Sequence, residues 1–170
     1  MNPKLNWEDF PAGCARRIGP RRVTAEEIVT FARQFDPQPF HVDAESAASS
    51  DFGGLIASGW HICALAMRMM CDDHILDSAG LGSPGADSIR WKQPLRAEDT
   101  ITVEATVVEA RRSRSRPGVG ILRWHWDVKN QHGHSIAELE TTGMIGCRST
   151  RENVPRSSEA VECKAQSRIT

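Results

Sequence analysis

The sequence predicts an α+β fold in which a curved antiparallel sheet wraps around one long central helix. Three observations carry that expectation. Residues 59–72 read as a helix that is apolar nearly all round (Ile62, Cys63, Leu65, Ala66, Met67, Met69, Met70), with Arg68 as the main charged interruption. A helix of that kind is buried by something larger than a second helix. Downstream, apolar and polar residues alternate along several consecutive segments, the signature of strands covered on one side only. Finally, 170 residues suffice for one domain with a single sizeable core.

The elements follow in order. Residues 1–11 form an N-terminal arm, with a short strand expected near Cys14–Ile18. A first helix opens at Thr24, where Glu27 three residues on completes a capping-box pattern, and Ile28, Phe31, Ala32 and Phe35 mark its apolar face. That helix stops at Asp36-Pro37. A short polar helix is expected at Ala44–Ser49, followed by a glycine-punctuated approach, Asp51 to Trp60, to the central helix at about Gly59–Asp72. Ser88–Pro94 reads as a strand ending at a proline. Ile101, Val103, Ala105 and Val107 then alternate inward within 100–107, as do Leu122, Trp124, Trp126 and Val128 within 120–129. Ala137, Leu139, Thr141, Gly143 and Ile145 complete the series. After Cys147 the chain becomes polar and poor in large apolar residues. Residues 148–170 cannot bury enough surface to offset their ordering entropy and are expected to be disordered.

Composition removes several function classes. Lysines and arginines (21) nearly balance aspartates and glutamates (22), for a net charge of -1, so there is no general signal for nucleic acid or an anionic membrane. The N-terminus, MNPKLNWEDF, does not read as a secretory signal. No stretch approaches the roughly 18 consecutive apolar residues of a membrane span. Five scattered cysteines without a CxxC pair fit neither a disulfide framework nor a zinc site, and suggest a reducing cytoplasm. Cys63 and Cys71 are expected in the core. His74, His125, His132 and His134 show no metal-ligand spacing and are expected at the surface. Trp60, Trp91, Trp124 and Trp126 read as core or interface area.

The candidate catalytic centre is Asp36-Pro37-Gln38-Pro39-Phe40-His41-Val42-Asp43. Each proline biases the residue before it towards an extended conformation, so a stiff, irregular segment should follow the first helix. A fixed backbone can hold the Asp36 carboxylate and the His41 imidazole against one small reactant, as general acid–base chemistry requires.

Asp36–Asp43, followed by Phe52-Gly53, Ile56-Ala57-Ser58-Gly59, Arg90-Trp91-Lys92-Gln93-Pro94-Leu95 and Asp99-Thr100-Ile101, resembles the MaoC-like, R-specific enoyl-CoA hydratases, over about residues 12–147. The resemblance implies the hot-dog fold, a hydratase dyad at Asp36 and His41, and a backbone oxyanion donor at Gly59. It also points to Gln38, Ser58 and Phe40 as substrate-binding residues; His61, on the central helix, either lines the pocket as a further binding residue or packs in the core. Where the family carries an Asn two residues after the acid, this chain carries Gln38. The implied substrate is an acyl-CoA or acyl-carrier thioester, with no cofactor and no metal. The implied assembly is a homodimer or a multiple of dimers.

The chemistry suits those positions on physical grounds. Adding water to a 2-enoyl thioester needs a base for the water, a proton for the α-carbon and stabilisation of the negative charge that builds on the thioester oxygen. Gly59 lets a substrate approach closely, and an amide at a helix N-terminus has no intrahelical partner and a favourable dipole. Two other readings remain open here, a thioesterase and a non-catalytic acyl-binding module. The thioesterase reading would want an acid on the central helix, which has none before Asp72. The run Arg111-Arg112-Ser113-Arg114-Ser115-Arg116 is expected in a turn, either meeting coenzyme A phosphates or serving as a solvated loop or subunit contact.

Overall fold

The structure is a computed structural model that describes residues 4–148. After a 3-10 turn at Trp7–Asp9 come β1 (Ala15–Arg22), α1 (Ala25–Phe35), α2 (Pro39–Val42), α3 (Ala44–Ala48) and α4 (Gly59–Met70), continued by a π-helical turn at Cys71–Ile75. Then follow β2 (Gly85–Trp91), β3 (Thr100–Arg112), β4 (Val119–Lys129) and β5 (Ser135–Gly146). The strands form one antiparallel sheet in the order β1-β3-β4-β5-β2, so β1 and β2 are its edges. A single α+β unit with α4 packed into a curved sheet is the hot-dog arrangement.

The core lies where the period-two residues of the sheet meet the inner face of α4. Ile101, Val103, Ala105 and Val107 from β3 and Leu122, Trp124, Trp126 and Val128 from β4 are all buried, and they pack with Ile62, Leu65, Ala66, Met69 and Met70 of α4. The sheet wraps the helix from one side, as expected, and leaves its outer face open. Trp60 is 56% exposed and Met67 44%, because a single sheet covers only one side of a cylinder. Cys63 and Cys71 are accordingly half-buried rather than core residues, and Cys14 is disulfide-bonded, against the expectation of unpaired thiols.

Several boundaries differ for identifiable reasons. β1 runs on to Arg22 through a register shift between Ile18 and Arg21, and one of its inward positions is Arg16, buried against Asp73, so the apolar alternation is broken in sequence. β3 continues past Val107 through a register shift between Val107 and Glu109, which displaces the alternation by one residue. His74, expected at the surface, is buried. Its Nδ1 lies 3.0 Å from Asp73 Oδ2, and its ring packs against Phe10 and Trp124. A polar Cys-Asp-Asp-His run conceals this because the π-helical turn redirects His74 inward. In the arm, Phe10 is fully buried. The polar tail after Arg148 lies outside the described residues.

The Thr24 box forms as expected, with Thr24 Oγ1 accepting from the Glu27 N–H at 3.2 Å and Glu27 accepting from the Thr24 N–H at 3.0 Å. Thr24→Ala should therefore cost about 1 kcal/mol, read as a lower urea midpoint at unchanged slope.

Candidate active site

Helix α1 ends because Pro37 cannot extend it, and Asp36 takes the C-cap position with its N–H on the Ala32 carbonyl. The segment that follows is not irregular as expected. Pro39 sits at the first position of a single helical turn, α2, where a missing N–H costs nothing. That turn carries His41 inward until its side chain is almost fully buried, while Asp36 stays partly open.

Three oxygens define the chemistry of the pair. His41 Nδ1 lies 2.7 Å from the Ile56 carbonyl oxygen. A carbonyl can only accept, so Nδ1 carries the proton, and in the neutral ring Nε2 presents a lone pair. That Nε2 is 3.5 Å from Asp36 Oδ2. Asp36 is itself fixed from two sides: Ser58 Oγ donates to Oδ2 at 2.6 Å and Gln38 Nε2 donates to Oδ1 at 2.8 Å. The Ser58 hydroxyl, and secondarily the Gln38 amide and the nearby His41, hold the Asp36 carboxyl below the usual carboxylate range despite partial burial. The site thus sets an ionised carboxylate and, when the ring is neutral, an imidazole lone pair toward each other.

The donor comes from α4. Ser58 caps that helix, its Oγ accepting from the Trp60 N–H at 3.2 Å, and Gly59 is the first helical residue. The Gly59 N–H therefore has no intrahelical acceptor and sits at the positive end of the helix dipole. A cavity of about 310 Å³ opens beside it, lined by His41 and Gly59 with Phe40, Phe52, Ile62 and Trp91 as its larger apolar walls.

The fold thus brings Asp36, Gln38, His41, Ser58 and Gly59 together and places Phe40 on the cavity wall. His61 is not brought there. Its ring stacks on Phe31 at 4.6 Å between α1 and α4, buried and with Nδ1 lacking a partner, and burial pushes its pKa down. Nor does the arginine run approach the cavity within one chain. It turns between β3 and β4 beside Gly146, whereas Trp91 pairs with Ala137 at the other end of β5. Strand length separates the two ends by about 30 Å. Arg112 ion-pairs with Glu8 and lies over the Trp7 ring, and Arg111 pairs with Glu109. Trp91 and Ile62 are lining residues that sequence reasoning left in the core. The clue at Trp91 was its period-two relation to Ile89, which puts both on the inner face of β2. Among the described residues no group of three or more His, Cys, Asp or Glu side chains converges on a metal position.

A hot-dog domain with an acid and a histidine converging beside a helix-terminal amide and an apolar cavity defines the class. Residues 12–124 match the family described as the MaoC like domain, and the chain belongs to that family. The MaoC-like dehydratase of Rhodospirillum rubrum is similar to it at 36% identity and a TM-score of 0.76, covering 85% of this chain and 99% of that one. The uncharacterised YdeM protein of Bacillus subtilis is 24% identical over 141 residues, covering 83% of this chain and 99% of that protein. The mesaconyl-CoA hydratase of Haloarcula marismortui is 28% identical over 108 residues, 63% of this chain. The match covers only 30% of that relative's length.

Two outcomes test this geometry. Ser58→Ala removes the strongest hydrogen bond to Asp36, so the Asp36 carboxyl should titrate at higher pH, measurable by carboxyl-carbon NMR. The sign follows from the depressed value: the interaction stabilises the fold above the unfolded-state pKa and is lost as pH falls through the folded one. At Gly59, an added Cβ would lie 2.4 Å from Trp91 Cε2. Gly59→Ala should therefore cost about 1–3 kcal/mol. Adding Trp91→Ala should relieve that conflict, giving a double variant more stable in thermal unfolding than the two single losses sum to.

Proposed function

We propose that this chain is a hydratase/dehydratase that adds water to, or removes it from, a 2-enoyl/3-hydroxyacyl thioester, most simply one linked to coenzyme A. The observation that carries the proposal is the pairing of the His41 Nε2 lone pair with the Asp36 carboxylate at 3.5 Å, beside a cavity that also exposes Gly59. The family includes hydratases of such thioesters, and the mesaconyl-CoA hydratase relative is one by name.

In the hydration direction, the added water donates to both acceptors, which fixes it for attack on the β-carbon. The hydrogen bonds that depress Asp36 make it a weak base, so the proton passes to His41 Nε2 as the C–O bond forms. Asp36 then faces an imidazolium and stabilises it. Charge moves onto the thioester oxygen, where the Gly59 N–H donates to it, a contribution of several kcal/mol for such a donor. The proton on His41 is delivered to the α-carbon as the enolate collapses. Water has been added and the pair is restored. The central helix carries no Asp or Glu, which disfavours the thioesterase reading.

Two further parts of the proposal concern setting. The β2 edge, with Trp60 and Met67 exposed on the neighbouring helix face, is suited to a second copy of the chain, since open edges and apolar patches need covering. A cytoplasmic location fits an acyl-CoA substrate, and no helix among the described residues is long and apolar enough to cross a membrane.

The test is the loss of enoyl-thioester absorbance with crotonyl-CoA. The wild-type chain should hydrate it, and Asp36→Asn and His41→Ala should each lose about 100-fold or more in kcat. Turnover that survives both substitutions would remove the dyad. Release of free thiol would indicate a thioesterase, and binding without turnover an acyl-binding module.

A further inference from the structure

We propose that Trp91 sets the size of the acyl group, so that the cavity takes a short, uncharged acyl chain and refuses a long one. This rests on the hydratase reading for the identity of the ligand, and deepens it by naming the substrate class. The cavity holds about 310 Å³, at the lower limit of ligand pockets, and its walls are apolar. Its one lysine, Lys92, is ion-paired with Glu138.

The indole is braced on its α4 side, while the residue as a whole is 48% exposed. On one side it presses against the start of α4. A Cβ on Gly59 would lie 2.4, 2.6 and 2.7 Å from Trp91 Cε2, Nε1 and Cδ2, all rigid ring atoms. Gly59 is thus a glycine not only to admit a substrate but also to admit this ring. The Trp60 ring meets it edge-on at 5.5 Å and 77°. The backbone beneath is pinned as well, since Trp91 pairs with Ala137 and the next N–H, that of Lys92, donates to the Ile136 carbonyl at 2.9 Å. Packed against Gly59 and Trp60, the ring narrows the cavity beside the first turn of α4. Its remaining face lines the space beside His41, Ile62 and Gly59, where an acyl chain must lie if its carbonyl is to reach the Gly59 N–H.

The experiment compares the full-length wild type with Trp91→Ala, Trp91→Leu and Trp91→Phe, each first checked for a cooperative thermal transition. Binding of butyryl-CoA and decanoyl-CoA, which have no double bond to hydrate, reads size selection without chemistry. Hydration of crotonyl-CoA against 2-decenoyl-CoA reads it with chemistry. The wild type should bind decanoyl-CoA no better than butyryl-CoA and hydrate crotonyl-CoA preferentially. In the alanine and leucine variants the preference for the longer chain should rise by at least about tenfold, with phenylalanine intermediate, since each methylene admitted to an apolar pocket is worth that order of discrimination. If the binding ratio shifts while no enoyl thioester is turned over, the wall stands and the hydratase reading falls. A folded alanine or leucine variant with the wild-type ratio would overturn the proposal. So would a wild type that already takes the longer chain equally well, or one that binds neither acyl-CoA.

Discussion

The Ser58 hydroxyl occupies the junction at which two helices and the Asp36 carboxylate are joined. Its oxygen accepts from the Trp60 N–H and so caps the central helix, while its proton goes to Asp36 at the end of α1. One short side chain therefore fixes where α4 begins and which way the Asp36 carboxylate faces. The depressed pKa of Asp36 and the availability of the Gly59 N–H both follow from it. Without that cap the amide would lose its place at the head of the helix, and Asp36 would lose its strongest donor. The rest of the fold supports this junction: the sheet holds α4 from below, and the α2 turn carries His41 up to meet Asp36.

A second constraint is the position of His41. The Ile56 carbonyl, on the approach to α4, dictates which ring nitrogen carries the proton. The imidazole is thus matched to its task by a backbone atom rather than by another titratable group. Gln38, the departure from the family's usual Asn, does not leave the site. Its longer side chain folds back onto the Asp36 carboxylate two residues away, so an amide still restrains the acid.

Much of this was legible in the sequence, because the decisive features are local. The Thr24–Glu27 box, the Asp36-Pro37 stop, and the alternation through β3 and β4 each depend on residues close together in the chain. What was not legible depends on distant partners. Arg16 looks like a surface residue until Asp73 is brought beside it, and His74 looks exposed until Phe10 and Trp124 close over it. His61 sits on the predicted helix, but stacking on Phe31 turns it away from the cavity. The place of Trp91 follows only when the edge strand β2 lies against the first turn of α4, which sets Trp91 beside Gly59, 32 residues earlier in the chain.

The cluster of Arg16, Asp73 and His74 at the far end of the central helix ties the site to solution acidity. Burial alone would push the Asp73 carboxyl up, but hydrogen bonds from His74 and Arg16, and the charge of Arg16, outweigh it and hold the pKa low. The stabilisation this gives is complete above the pKa of the unfolded chain and drains away as pH falls through the folded value. Acid therefore loosens α4 at the end remote from Gly59, by cutting its anchor to β1. Only acid below the ordinary carboxylate range would therefore be felt, through this anchor, by the helix whose first amide is that of Gly59.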